Sequence, residues 1–261
     1  MMPAAVFDAL APEYDACFTE SALGRMLRRA VWRWLDRAFP RGARVLELNC
    51  GTGEDARHLG GRGVQVLATD ASAAMLDLAR AKIDGAGLGS SVEVRHVDIE
   101  RLDALIAESP GPLDGAFSTF GGLNCVADLG HVASALAALL KPGARVVLCV
   151  MGPLVPWEWA WFLAQGQVGK AFRRLARNGV EWRGITVRYP SVGTMRRAFA
   201  PRFTVRRVGG LGVLVPPTYA ETWARRHPRL VERLDRWERR IEGWPIVPWL
   251  GDHYLLELER R

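Results

Sequence analysis

The chain has 261 residues and a formal net charge of +7, and 49% of its residues are hydrophobic. That length can bury a sizeable core within one large α/β domain. No run of 18 apolar residues occurs, and the first ten residues lack the basic and apolar regions of a signal peptide, so neither a membrane span nor a leader is expected. The four scattered cysteines form no C-x-x-C pair, which argues against a metal site or a disulfide framework and favours a reduced, cytoplasmic protein.

Helices are predicted before the first strand. The stretch F-D-x-x-A-x-x-Y-D occupies residues 7–15, and apolar residues recur at helical spacing between residues 21 and 38. These helices would form a cover at one end of the domain. Phe7 and Tyr14 would either pack the first helix down or place Tyr14 near a ligand.

A strand, a glycine-rich turn and a helix form the central feature of the sequence. Val45–Leu48 is a short apolar run of the buried-strand type, Gly51-Thr52-Gly53 follows it, and residues 54–59 can begin a helix. A turn without Cβ atoms allows a ligand to approach the backbone. The helix start adds unpaired N–H groups and a partial positive charge, so the pattern predicts a site for a charged small ligand.

Three acidic residues end successive predicted strands: Glu47, then Asp70 after residues 64–69, then Asp98 after residues 92–97. Because the carboxyl ends of parallel strands meet in one crevice, the three carboxylates are expected to converge there. A carboxylate at Asp70 can accept hydrogen bonds from both ribose hydroxyls of a nucleoside. The glycine spacing also fits the G-x-G-x-x-A form of a dinucleotide site, so an NAD(P)-dependent oxidoreductase is an alternative, although it leaves Asp98 unexplained.

The stretch Glu47-Leu48-Asn49-Cys50-Gly51-Thr52-Gly53 resembles the glycine-rich signature of class I S-adenosylmethionine (SAM) dependent methyltransferases. Residues 7–15 resemble the N-terminal segment of the ubiquinone- and menaquinone-biosynthesis type. Asn49 stands where the family usually has glycine, and asparagine tolerates left-handed φ best among the other residues. The resemblance implies SAM as the cofactor and an α/β, Rossmann-like fold. Its seven-stranded sheet would be mostly parallel, with an antiparallel last strand and helices on both faces.

The resemblance also implies which part of SAM each residue would bind. Glu47 would accept a hydrogen bond from the ammonium group, Asp70 would hold the ribose, and Asp98 would meet the adenine amino group. Tyr14 would lie near the methionine end. The other residues that the resemblance assigns to the cofactor are Asn49, Gly51, Gly53, Ala71, Met75, Ile99, Ser118 and Thr119.

A fourth predicted strand, residues 113–120, leads into a loop that would pass beside the reactive methyl group. Methyltransferases that attack planar amino groups often carry Asn/Asp-Pro-Pro-Tyr/Phe here, whereas this chain has Ser118-Thr119-Phe120-Gly121. Transfer to oxygen or carbon is therefore favoured over transfer to nitrogen. If the acceptor must lose a proton, His131 and His253 are the candidate bases, although positioning alone can supply much of the rate.

The chain changes character after residue 152. Residues 170–261 carry 20 basic and 9 acidic side chains, and eight of the ten tryptophans lie between Trp157 and Trp249. Residues 153–183 are predicted to be an aromatic and basic helical insertion. It is interpreted as a lid whose aromatic face walls the acceptor pocket. The alternative is a peripheral membrane contact through residues 157–177, since tryptophan and arginine are favoured at that interface.

Residues 1–152 are thus predicted to be the SAM-binding core, and residues 184–261 to add the closing strands with a second helical insertion over residues 218–243. Two strand-like runs near residues 203–215 are expected to be broken by Gly209-Gly210. In the second insertion, Leu230, Leu234, Trp237 and Ile241 recur at spacings of 4, 3 and 4, which is an amphipathic stripe.

These patterns together predict a SAM-dependent methyltransferase that acts on a small, apolar acceptor by in-line displacement. Two alternatives belong to other classes: the oxidoreductase, and a non-catalytic SAM-fold or membrane-surface partner protein. An RNA methyltransferase is encouraged only by the basic C-terminal part, and nucleic acid is not the favoured partner.

Overall fold

The computed structural model of the protein describes residues 3–108 and 111–261. In these residues seven strands form one sheet and two short strands form a separate hairpin. The strands, in chain order, are β1 (Arg44–Leu48), β2 (Gln65–Asp70), β3 (Val92–His96), β4 (Leu113–Ser118), β5 (Leu140–Met151), β6 (Val180–Trp182), β7 (Ile185–Val187), β8 (Phe203–Leu211) and β9 (His253–Arg260).

The large sheet has the strand order β3-β2-β1-β4-β5-β9-β8. Strands β1 to β5 pair in parallel. Strand β9 runs antiparallel between β5 and β8. The predicted Rossmann-like α/β fold, with an antiparallel last strand, is confirmed. The order reverses between β1 and β4, and ligands of open parallel sheets bind at such a point, beyond the carboxyl ends of the strands.

Helices cover both faces of this sheet. The α-helices of the described residues are α1 (Pro3–Tyr14), α2 (Ala22–Ala38), α3 (Glu54–Gly61), α4 (Ala73–Gly85), α5 (Asp103–Glu108), α6 (Leu129–Leu139), α7 (Pro156–Leu163), α8 (Val168–Ala171), α9 (Val192–Phe199), α10 (Glu221–Arg226) and α11 (Pro228–Ile241). One apolar cluster joins the sheet to α2, α3, α4, α10 and α11, and a second joins it to α5, α6 and α9.

The helix starts near the crevice follow from side-chain caps in the sequence. Ser72 lies before α4, and its Oγ accepts a hydrogen bond from the N–H of Met75 at 3.2 Å, as predicted. Ser21 caps α2 in the same way, through the N–H of Gly24 at 2.9 Å. Among the described residues no helix is long and apolar enough to cross a membrane.

The prediction that Gly209-Gly210 breaks a strand is wrong, because β8 continues through both glycines to Leu211. A Cβ at residue 209 would lie 2.5 Å from the Trp34 ring, and one at residue 210 would lie 2.6 Å from Val247. These glycines serve close packing rather than a turn.

The insertion after residue 152 reaches the crevice through its last part, Arg173, Val180 and Trp182, and not through α7. Three of the four α7 rings pack on the segment before and within α10: the Trp157 ring lies 6.2 Å from that of Trp223, and those of Trp161 and Phe162 lie 5.8 and 5.2 Å from that of Tyr219. These rings therefore do not wall the crevice. Periodicity indicated that α7 has an aromatic face, but it did not say which surface that face contacts. The insertion ends in the β6–β7 hairpin, and this hairpin reaches the crevice.

Candidate functional site

One cavity of about 370 Å³ lies across the carboxyl ends of strands β1 to β5. This volume falls in the range of small-molecule sites, about 300–1000 Å³. The residues that line it follow the strand order, from Asp98 after β3, through Asp70 and Asn49, to Thr119 and Met151 at the ends of β4 and β5. Of the residues assigned to the cofactor, those lining the cavity are Tyr14, Asn49, Gly51, Asp70, Ala71, Met75, Asp98, Ile99 and Thr119.

The turn after β1 has the left-handed backbone that its sequence predicts. The φ angles are 56° at Asn49, 53° at Gly51 and 76° at Gly53. At Gly53, and at Gly122 in the neighbouring loop after β4, there is no room for a side chain. A Cβ at Gly53 would lie 2.9 Å from the Cβ of Ala79, and one at Gly122 would lie 2.4 Å from the Asn49 side chain. Gly53 does not line the cavity, so its role is to let α3 and α4 approach each other.

Asp70 is held by the glycine turn. Its Oδ2 accepts a hydrogen bond from the N–H of Gly51, and its Oδ1 accepts one from the N–H of Ser72, both at 2.9 Å. Burial raises the pKa of this carboxyl, and the two N–H donors oppose that rise. Each oxygen keeps a lone pair after these bonds. The carboxylate can therefore accept two further donors from the cavity, and a ribose diol carries two such donors.

The N-terminal helix is held over the cavity by the two aspartates of the segment 7–15. Asp8 Oδ1 accepts hydrogen bonds from Ser72 Oγ at 2.6 Å and from the N–H of Ala74 at 3.1 Å. Asp15 accepts a hydrogen bond from Thr52 Oγ1 at 2.6 Å and forms a 2.9 Å ion pair with Lys82. Sequence reasoning used Phe7 and Tyr14 of this segment but overlooked the aspartates that fix it.

Arg28 and Asp55 form a buried ion pair beside the turn, with 2.7 Å between Nη1 and Oδ2, and both line the cavity. Burial alone would raise the pKa of Asp55, but the Arg28 charge, with hydrogen bonds from Thr119 and Trp32, holds it below its usual value. The Arg28 guanidinium lies over the Phe120 ring at 5.0 Å, and its buried Nε has no hydrogen-bond partner among the described residues. Sequence reasoning missed this cation, because it lies on α2, far from any motif.

Glu47 and Ser118 are buried and do not line the cavity. The Glu47 side chain is 1% exposed, and its carboxylate has no hydrogen-bond partner in the described residues. Burial, and then the negative charge of Asp55, raise its pKa well above the usual value. The structure therefore places Glu47 in the interior at the end of β1, outside the set of residues that line the cavity. Ser118 Oγ instead donates to Asn49 Oδ1 at 3.4 Å.

The far end of the cavity comes from the β6–β7 hairpin and is mostly apolar, with Arg173 as its one cation among the described residues. Val180, Trp182, Val187 and Tyr189 line it together with Cys125 and Met151. The hairpin is tied to the sheet by Asn124, whose Nδ2 donates to the carbonyls of Arg188 at 2.6 Å and Met151 at 3.1 Å. This end of the cavity could enclose a flat, apolar molecule.

Neither candidate histidine lines the cavity. His131 is on the outer surface of α6, where its side chain is 43% exposed and lies 3.3 Å from Asp103. His253 is buried beside Asp252, at 3.1 Å, and its ring meets the edge of Phe120. Phe120 thus separates His253 from the cavity. Position after a strand end was an insufficient guide, because it did not specify on which side the ring would lie.

The cavity fits SAM on its own geometry. Asp70 offers acceptors for a diol, and the Arg28 guanidinium offers a cation for a carboxylate. Asp98 offers a carboxylate beside the apolar side chains of Met75 and Ile99. A Cβ at Gly51 would have no neighbour within 4 Å, so the turn leaves open space where the cofactor would lie. These residues could hold an adenosine group at one end and an amino acid group at the other.

Comparison with known proteins bears on the same segment. Residues 45–143 match the family described as the methyltransferase domain. A ubiquinone biosynthesis O-methyltransferase from Xylella fastidiosa is 36% identical over 105 residues, which is 40% of each chain. An S-adenosyl-L-methionine-dependent Diels-Alderase, iccD of Talaromyces variabilis, is 34% identical over 131 residues, 48% of this chain and 41% of its own. The chain thus spans about two fifths of the length of these curated relatives.

A solved structure extends the likeness of the fold to the whole chain. The [4+2]-cyclase SpnF superposes with a TM-score of 0.65 at 15% identity, and the match covers 99% of this chain and 94% of that one. At that identity the likeness concerns the fold alone. The glycine turn and the sheet order agree with the matched family: residues 45–143 are similar to a methyltransferase domain, within a fold of the class I SAM-dependent type.

Proposed function

We propose that this protein transfers the methyl group of SAM to a small, apolar acceptor, at oxygen or carbon. The observation that supports this function most is the two-ended cavity. Carboxylates and a cation surround the end near the glycine turn, and the hairpin residues Trp182 and Tyr189 line the other end. A methyl donor and a flat acceptor could lie end to end in it.

SAM, when bound, supplies a methyl group already activated by the sulfonium. The residues of this chain would then position the partners, which can supply about 7–11 kcal/mol of the barrier in favourable cases. Asp70 and Asp98 would hold the nucleoside, and Arg28 would pair with the carboxylate. The hairpin would orient the acceptor and exclude water. The same chemistry suits a phenolate, formed when a phenol loses its proton to water before the transfer. The relative from Xylella fastidiosa is named a ubiquinone biosynthesis O-methyltransferase, which is consistent with this acceptor class.

Binding and turnover test this function separately. Calorimetric titration is expected to show binding of SAM and S-adenosylhomocysteine but not of NAD⁺. Transfer of a labelled methyl group from SAM to a panel of phenols and quinols is then expected to give a methylated product. Binding of NAD⁺ in place of SAM would establish the oxidoreductase alternative. Binding of SAM with no change in any acceptor would favour the non-catalytic alternative.

A second candidate function is a cyclisation, because the titratable side chains at the acceptor end keep their protons. In the described residues no histidine lines the cavity. Burial raises the pKa of the Cys125 thiol to about 11 and also raises that of Tyr189, so both groups keep their protons at neutral pH. Such a cavity suits a cyclisation that moves no proton, like the reaction in the name of the Talaromyces relative. If S-adenosylhomocysteine supports product formation as well as SAM does, cyclisation is the function.

A further inference from the structure

Helix α11 does not bury its apolar stripe. The stripe Leu230, Leu234, Trp237 and Ile241, here called the apolar row, is the face that amphipathic patterning expects against a core. The residues of α11 that are buried are instead Val231, Asp235 and Glu238. At 100° per residue, this buried face lies about 100° around the helix from the apolar row.

Hydrogen bonds explain why the polar face is turned inward. The Glu238 carboxylate accepts the backbone N–H groups of four successive residues at 2.7–3.1 Å. The side chain is 5% exposed, so its charge is compensated by these donors and not by water. This contact fixes the rotation of α11 about its axis. The four donors are Gly212, Val213, Leu214 and Val215.

The apolar row is consequently accessible. Leu230 is 43% exposed and Trp237 is 57% exposed, whereas Leu234 and Ile241 are half-buried. The chain that follows α11 adds large apolar side chains, Trp244 at 60%, Ile246 at 68% and Trp249 at 43%. Single exposed apolar residues are ordinary on soluble proteins, but three exposed tryptophans between residues 237 and 249 favour an interaction surface.

A row of arginines runs beside the apolar row. Each member of the apolar row is preceded by one arginine, so the two rows have the same spacing and lie side by side on the helix. All four arginines are exposed, and none forms a salt bridge with a described residue. One guanidinium lies 5.0 Å from the centre of the Trp237 ring. The arginine row consists of Arg229, Arg233, Arg236 and Arg240.

Charge distinguishes two candidate partners of this surface, a second copy of the chain and an anionic lipid surface. In a two-fold dimer through α11 the same surface faces itself, so the two arginine rows would repel. An anionic lipid surface is complementary to the arginine row, and the interfacial region favours the ring and N–H of tryptophan. Arginine beside an apolar face is also the composition of helices that lie in the plane of a membrane interface.

We propose that α11, with residues 244–249, rests on an anionic lipid bilayer surface. The apolar row and the three tryptophans enter the headgroup region, and the arginine row contacts phosphates. The contact therefore lies in the second insertion and the six residues after Gly243, and not in residues 157–177. This binding does not depend on methyl transfer, so it can be tested whatever the acceptor is.

Co-sedimentation with vesicles tests the proposal on the full chain. The protein is expected to bind vesicles of phosphatidylcholine and phosphatidylglycerol in equal parts and to bind pure phosphatidylcholine far more weakly. Each arginine near the surface contributes about fivefold to partitioning, so the variant R233Q/R236Q/R240Q is expected to bind about 100-fold more weakly, with a smaller dependence on salt. The variant W237A/W244A is expected to bind at least about tenfold more weakly.

Two controls separate this surface from its alternatives. The variant F172A/L175A changes exposed apolar residues of the first insertion, at 41% and 48% exposure, and is expected to bind vesicles like the wild type. All variants should bind SAM as the wild type does, which shows that they are folded. Loss of vesicle binding only in F172A/L175A would overturn the proposal. So would equal binding to both kinds of vesicle, a dimer that W237A/W244A abolishes, or salt-dependent binding of RNA in place of vesicles.

Discussion

The two ends of the cavity are built by different means. The cofactor end comes from the ends of adjacent parallel strands and from one turn, and its polar groups are fixed by short hydrogen bonds such as those from Gly51 and Ser72 to Asp70. The acceptor end comes from a hairpin that is distant in sequence, and it is tied to the sheet through Asn124. The first end is fixed by the fold itself, whereas the second can vary with the inserted segment. We therefore expect substitutions at the two ends to have separable effects.

The largest expected effect concerns Asp70 at the cofactor end. Hydrogen bonds to a charged group contribute about 1.5–3 kcal/mol each, so loss of two of them in Asp70→Ala should weaken SAM binding at least about 100-fold. Asp98→Ala, which would remove one bond to the adenine, should weaken it about tenfold. Calorimetric titration measures both. Asp77→Ala, on the exposed side of α4, is the control. If a folded Asp70→Ala protein bound SAM as the wild type does, the carboxylate at the end of β2 would not belong to the cofactor end.

A second prediction separates binding of the amino acid carboxylate from binding of the nucleoside within the cofactor end. Arg28→Lys keeps a positive charge beside Asp55 but removes the forked guanidinium donors that could bind a carboxylate in the cavity. Affinity for S-adenosylhomocysteine should fall about tenfold or more, because one charge-assisted hydrogen bond is lost. Affinity for 5′-methylthioadenosine, which has no carboxylate, should not change. Equal losses for the two ligands would show that Arg28 acts on the shape of the whole cavity and does not contact the carboxylate.

A third prediction concerns the acceptor end. Trp182→Ala removes a ring from the hairpin wall and should raise the KM for the acceptor roughly tenfold, since burying an aromatic side chain against a ligand contributes about 1–2 kcal/mol. The Kd for SAM should stay within about twofold, because the cofactor contacts lie on the other strands. Trp161→Ala is a matched control, as its ring packs on Tyr219 away from the cavity. If Trp182→Ala weakened SAM binding as strongly as it raised KM, the two ends would not be separable.

The same difference explains what could be predicted from the sequence. The sequence signals for the strands, for the glycine turn and for the strand-end acids each lie within a few residues. The sheet and the positions of Asn49, Asp70 and Asp98 could therefore be predicted from local patterns. The ion pair of Arg28 and Asp55 joins residues far apart in sequence, and so do the hydrogen bonds of Asn124 to the hairpin. Neither contact produces a periodic pattern in the sequence. Helix α11 shows the limit of amphipathic patterning. Its apolar stripe was visible, but the four backbone donors that turn Glu238 inward were not.

The smallest expected effect on ligand binding concerns Glu47, which does not line the cavity. Its carboxyl has a pKa well above the usual value in the folded protein, chiefly because of burial. Below the ordinary pKa of about 4.5 the group is protonated in both states. Above it the unfolded chain loses the proton while the folded chain keeps it, so the free energy of unfolding falls by up to about 1.4 kcal/mol per pH unit. This fall ends once pH passes the folded-state pKa.

The variant Glu47→Gln cannot titrate and should escape that fall. Thermal unfolding between pH 5 and pH 8 should show the variant gaining stability relative to the wild type as pH rises, whatever its offset at pH 5. Glu232→Gln, exposed on α11, should follow the wild type at every pH. A gap between Glu47→Gln and wild type that is constant with pH would mean that Glu47 is ionised in the folded protein. Some group, such as a bound ammonium, would then have to compensate its charge, and Glu47 would belong to the cofactor site after all.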